Sequence, residues 1–117
     1  MRVNRKILVC GGRDYSNYAV VKSVLDEIAP LLIIDGVARG ADSLGNRYAT
    51  KNTIPNMRFP ANWGNLGNAA GPIRNSWMLQ FGMPDLVIAF PGGTGTADMV
   101  KQANVCGIEV KLITEGE

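Results

Sequence analysis

The segment Asp85–Asp98, DLVIAFPGGTGTAD, constrains the fold more than any other part of the chain. Leu86, Val87, Ile88, Ala89 and Phe90 run without polar alternation, as a strand does when both of its faces are covered. The turn that follows, Pro91-Gly92-Gly93-Thr94-Gly95-Thr96, leads into a helical pattern. Its three glycines let the backbone turn tightly with no Cβ to hold a ligand away. Thr94 or Thr96 is placed to cap the helix. The free N–H groups and positive dipole end of that helix favour an anion, a phosphate above all. The motif matches neither the dinucleotide fingerprint nor the lysine-bearing P-loop.

The rest of the chain repeats this alternation. Strands are expected at 6–10, 31–35, 56–59, 85–90 and 108–114, and helices at 16–29, 41–52, 71–82 and 96–105. Helical spacing turns Val20, Val21, Val24, Leu25 and Ile28 inward from the first helix, and Ala41, Leu44, Tyr48 and Ala49 from the second. In the third, Ile73, Trp77 and Phe81 share one face, and Pro72 suits the first helical position. Gly107 follows the fourth helix as its C′ residue. Residues 60–70 read as a polar loop, and Glu115-Gly116-Glu117 as a frayed end.

This pattern predicts an α/β, Rossmann-like three-layer sandwich: a five-stranded parallel sheet of order 3-2-1-4-5 within a single domain spanning 1–117. Strands one and four are then neighbours, and ligands of open α/β sheets bind where the winding reverses between them. Two glycine motifs meet at that point, Gly11-Gly12-Arg13-Asp14 and Pro91–Thr96, although about eighty residues separate them. Gly12 and Arg13 are expected at the ligand, Arg13 offering a forked cation to phosphate or ribose oxygens. In GVARGAD, Gly40 allows close approach and Arg39 faces either solvent or phosphate. Asp42 either caps its helix, or holds a ribose hydroxyl or the backbone of a neighbouring loop. Trp63 either stacks on a base or covers the core, whereas Arg74 and Asn75 stand in a first helical turn where an anion is favoured. The expected ligand set is thus Gly11, Gly12, Arg13, Arg39, Gly40, Asp42, Trp63, Arg74, Asn75 and Pro91 to Thr96.

Composition limits the chemistry. With no histidine among 117 residues, imidazole acid–base catalysis and His-based triads are excluded, and most zinc sites with them. Neither a metal nor a cofactor is expected. Cys10 and Cys106 read as buried small hydrophobes. A net charge of +2 with no basic run argues against a nucleic-acid partner. No apolar stretch approaches the roughly 20 residues of a membrane span, and the N-terminus reads as a first strand, so a cytoplasmic location is expected.

Together GGRD, GVARGAD, PANW, AGPIRN and FPGGTGTADM resemble the cpYpsA-related SLOG family over nearly the whole chain, in a compact form of the kind carried by bacteria and phages. The superfamily is similar in fold to the LOG phosphoribohydrolases and to the Rossmann-like domain of DprA. The resemblance implies a nucleotide or nucleotide-derived ligand, of which the ADP-ribose type is one possibility, and a homo-oligomer. The enzymatic branch carries PGGxGTxxE, whose glutamate takes part in cleaving the N-glycosidic bond. Met99 occupies that position, and a one-residue step rotates a helical side chain by about 100°, so Asp98 is not expected to replace it. The favoured expectation is binding without turnover, as a sensor or a sequestering protein. The alternatives are a nucleoside-phosphate N-glycosidase or transferase using Asp98, Asp14 or Asp42, and a DprA-like nucleic-acid module.

Overall fold

The computed structural model describes residues 5–114; the tail at 115–117 lies outside them. Five parallel strands, β1 (Lys6–Cys10), β2 (Leu32–Asp35), β3 (Asn56–Arg58), β4 (Leu86–Ala89) and β5 (Glu109–Leu112), form one sheet in the order β3-β2-β1-β4-β5. Between them run α1 (Tyr18–Ile28), α2 (Ala41–Lys51), a short α3 (Trp63–Leu66), α4 (Ala70–Gly82) and α5 (Thr94–Val105). The expected strand order is the observed one.

Side chains of β1 alternate between two cores. Ile7 and Val9 join Val21, Leu25 and Tyr48 beneath α1 and α2, while Leu8 and Cys10 join Met78, Leu79, Met99 and Ala103 beneath α4 and α5. The continuous apolar runs of β1 and β4 are therefore explained by helices on both faces. Asn17 caps α1, its side chain accepting from the Val20 amide at 3.3 Å, so the helix starts two residues inside the expected 16. On α2 the expected inward residues Ala41, Tyr48 and Ala49 are buried, and Leu44 packs at the edge of the same core.

Several expectations need correction. Residues 63–66 are helical and 67–69 form a 3₁₀ turn continuing into α4, so the presumed loop is largely helix. Pro72 is consequently the third residue of α4 and not its first. The face that α4 buries also differs from the expected one. Trp77 and Phe81 are 39% and 58% exposed, whereas Met78, Leu79 and Gly82 face the sheet and Asn75 is buried against α5. Gly82 lies there because a Cβ would meet Ile34 Cδ1 at 3.0 Å, while at the start of the helix Ala70 is buried and Gly71 packs against the Trp63 ring. Small residues thus mark the buried face and the aromatic stripe the outer one. Cys10 is buried as expected, but Cys106 is exposed at the end of α5. Neither threonine caps α5, because Gly93 is its N-cap and no side chain bonds there. Gly107 adopts φ +76°, the left-handed conformation expected of a C′ glycine.

Candidate functional site

The carboxyl ends of β1 and β4 lie side by side, with Cys10 opposite Ala89, so both chains leave the sheet at the same place. The Gly12 amide donates to the Pro91 carbonyl at 2.8 Å, and the Gly12 carbonyl accepts from the Ala41 amide at 3.1 Å. Three loops after three strands are thereby fastened through one residue. Glycine is required at the junction. A Cβ on Gly12 would stand 2.9 Å from the Pro91 oxygen, one on Gly40 would collide with the Gly12 oxygen, and one on Gly92 with Thr96 Oγ1.

Above this junction lies a crevice of about 610 Å³. Gly11, Gly12, Arg13 and Asp42 line it from the β1 and β2 side, Trp63, Arg74 and Asn75 from α3 and α4, and Gly93 to Thr96 from α5. Most of the sequence-expected ligand residues therefore share one concavity. Pro91, Gly92, Arg39 and Gly40 do not line it. Pro91 and Gly92 border a neighbouring groove of about 580 Å³ between α5 and β5 that shares Gly93 and Thr96 with the crevice, Gly40 packs on Gly12, and Arg39 lies in an adjoining hollow. Asn68 and Met78, outside the expected set, also line the crevice, as does Asp98, one of the carboxylates of the enzymatic alternative.

Gly93 and Gly95 differ from the junction glycines. A Cβ on either would meet no protein atom within 4 Å, so packing does not account for the missing side chain. Both are exposed at the opening of α5, where free amides and the dipole favour an anion.

The polar side chains divide into those that build the walls and those left for a ligand. Asp42 is 5% exposed and accepts from the Gly36 amide at 2.6 Å, so it takes the loop-holding role among those expected of it. Burial pushes its carboxyl up to about 6; the charge of Asp35 adds to this, while the Gly36 amide and Arg74 oppose it. Arg74 donates from Nη1 to the Gly36 carbonyl, and from Nε to Asn75 Oδ1 at 3.1 Å. Burial lowers its proton affinity, against the pull of Asp42. The amide of Asn75, 4% exposed, donates to the Gly95 carbonyl at 3.2 Å and to Asp98 Oδ2 at 2.9 Å. Asn75 thus fixes the first turn of α5 against α4. Trp63 lies half-exposed with its ring edge against Gly71, and the Arg13 guanidinium stands 5.3 Å from the ring centroid. The Cys10 thiol in the crevice lining is raised by burial to about 12, which leaves it unreactive.

The helical step at positions 98 and 99 separates a core residue from a crevice residue. Met99 is completely buried between α5 and the sheet, whereas Asp98 lines the crevice with Oδ2 accepting from Asn75 and, at 2.7 Å, from Gln102. The signal was available in the sequence. Val100 and Ala103 fix the inward face of α5 together with Met99, and position 98 falls off it. Among the described residues no cluster of three or more Cys, Asp or Glu side chains could hold a metal ion, and no helix is long and apolar enough to cross a membrane.

An open parallel sheet flanked by helices, with glycine loops converging at its switch point, defines a Rossmann-like protein with its crevice at the carboxyl ends of the strands. Family-level comparison agrees. The model describing the YspA, cpYpsA-related SLOG family matches residues 5–65. The Gene 61 protein of Mycobacterium phage D29 is 34% identical over 119 aligned residues, covering 91% of this chain and 94% of that protein. The chain belongs to the YspA, cpYpsA-related SLOG family.

Proposed function

We propose that the protein binds a nucleotide or nucleotide-derived signal, with a phosphate at the opening of α5, and acts as a sensor or a sequestering protein without turning its ligand over. The observation that carries this reading is the pair Gly93 and Gly95: two exposed glycines facing a crevice, neither required by protein packing. Arg13 and Arg74 supply cations to the same crevice, and Trp63 supplies a face on which a base can stack. Family membership supports a nucleotide-related role. An ADP-ribose-type ligand belongs to this class. Met99, in the core, carries neither charge nor a labile proton to a ligand.

The test is incubation with nucleoside monophosphates, ADP-ribose and cyclic ADP-ribose isomers, followed by chromatography of the filtrate and of the heat-released fraction. A ligand depleted from the filtrate and recovered unchanged on heating is the expected result. Free base or a new sugar phosphate would overturn binding without turnover.

Asp98 favours a second reading, an N-glycosidase. Its Oδ2 is held by two amide donors while the residue faces the crevice, as a carboxylate does when it stabilises an oxocarbenium-like centre or activates water. Base release that disappears in Asp98→Asn, with the fold retained, would establish it.

A further inference from the structure

Beside the crevice a second hollow of about 300 Å³ opens between the loop after β2 and the segment after β3. Gly36, Val37, Arg39, Pro60 and Ala61 belong to it alone. Arg13, Ala38, Trp63 and Arg74 line both hollows, so the two form one surface that meets at the indole.

The charge of this second hollow is one-sided. Arg13, Arg39 and Arg74 line it, and no carboxylate does. Arg74 is balanced by Asp42 and engaged with the Gly36 carbonyl. Asp35, at the end of β2, is already bound by Arg58, by the Asn56 amide and by the Val37 N–H. Arg39 reaches Asp14 at 3.5 Å, but these side chains are 75% and 97% exposed, where solvent screens such a pair almost completely. Arg13 enters no ion pair among the described residues and rests over Trp63. After burial, it is the Arg13 charge that disfavours the Arg74 cation, so the arginines stand close enough to repel. Two guanidinium forks therefore border a concavity with their donors largely unused, next to an aromatic face.

We propose that this hollow receives a second phosphate, held by Arg39 and Arg13, so that the ligand carries two phosphates on either side of a nucleoside whose base stacks at Trp63. The first phosphate lies at the opening of α5, so the inference rests on the reading given under Proposed function. The ligand class is a nucleoside bisphosphate or a short dinucleotide, in preference to a mononucleotide.

Calorimetric titration with each 5′-nucleoside monophosphate, its 3′,5′-bisphosphate and the matching 5′-phosphorylated dinucleotide tests this. For at least one base, a doubly phosphorylated probe should bind ten times more tightly than its monophosphate or better. Whichever probe gains more distinguishes the bisphosphate from the dinucleotide. In Arg39→Ala the ratio of the two affinities should fall to about one; the side chain is exposed, so folding is not at issue. Equal affinities within every set, or a ratio unchanged in Arg39→Ala, would overturn the second phosphate while leaving nucleotide binding intact. No binding by any probe, together with no nucleotide in the heat-released fraction, would reject both.

Discussion

Gly92 and Gly95 stand three residues apart and carry opposite consequences. A Cβ on Gly92 has no room, so Gly92→Ala should cost more than 2 kcal/mol and lower the denaturant midpoint sharply. Gly95 lies in the first turn of α5 with open space around it. There alanine should raise apo stability by about 0.5–1 kcal/mol, because it removes a helical glycine. The same substitution should weaken nucleotide binding at least tenfold, and paired calorimetry and denaturation would separate the two effects. Asp42 has a pH signature. Its folded carboxyl sits near 6, above the 3.8 of an ordinary aspartate, so the folded state favours the proton. The stability from that proton is complete below the ordinary value and lost as pH rises through about 6. Between pH 7 and pH 5, acidification should stabilise the native protein by about 1 kcal/mol relative to Asp42→Asn, measured by urea unfolding at each pH.

Helix α5 shows how a single position in a motif divides between core and site. Met99→Glu restores the carboxylate of the enzymatic pattern but places it where no solvent reaches. It should destabilise the fold by at least about 3 kcal/mol and confer no base release, seen as a collapsed thermal transition and an inactive soluble fraction. Much of this was legible beforehand. Apolar runs ending in glycine announce strands β1 and β4, and their meeting follows from the winding rule alone. What was not legible has a physical cause. Ile73, Trp77 and Phe81 recur at helical spacing, and that spacing does not say whether the covered face meets the protein's own sheet or something else. The segment at 63–69 lacks apolar periodicity because its short helical turns bury little, so only the Asn62 cap, accepting from the Asn65 amide at 3.3 Å, hints at them.

At the scale of the whole molecule, α4 presents Trp77 and Phe81 outward, with Met83 60% exposed just beyond its end. We propose that a second copy covers this stripe, in the homo-oligomer that the family resemblance implies, with the crevice residues Arg74 and Asn75 on the same helix. The expected outcome in analytical ultracentrifugation is a dimer or larger species that becomes monomeric in Trp77→Lys/Phe81→Lys. A native monomer at high concentration would dispose of the assembly. The fastening of three loops through Gly12 bears on how any survey of variants should be interpreted. Since a Cβ there would stand 2.9 Å from the Pro91 oxygen, Gly12 will be as intolerant in a selection for soluble expression as in a selection for ligand capture. A map of forbidden substitutions would therefore light up the floor of the crevice whether or not anything binds above it. Only positions such as Gly95, a helical residue with open space around it, can report what the crevice is for.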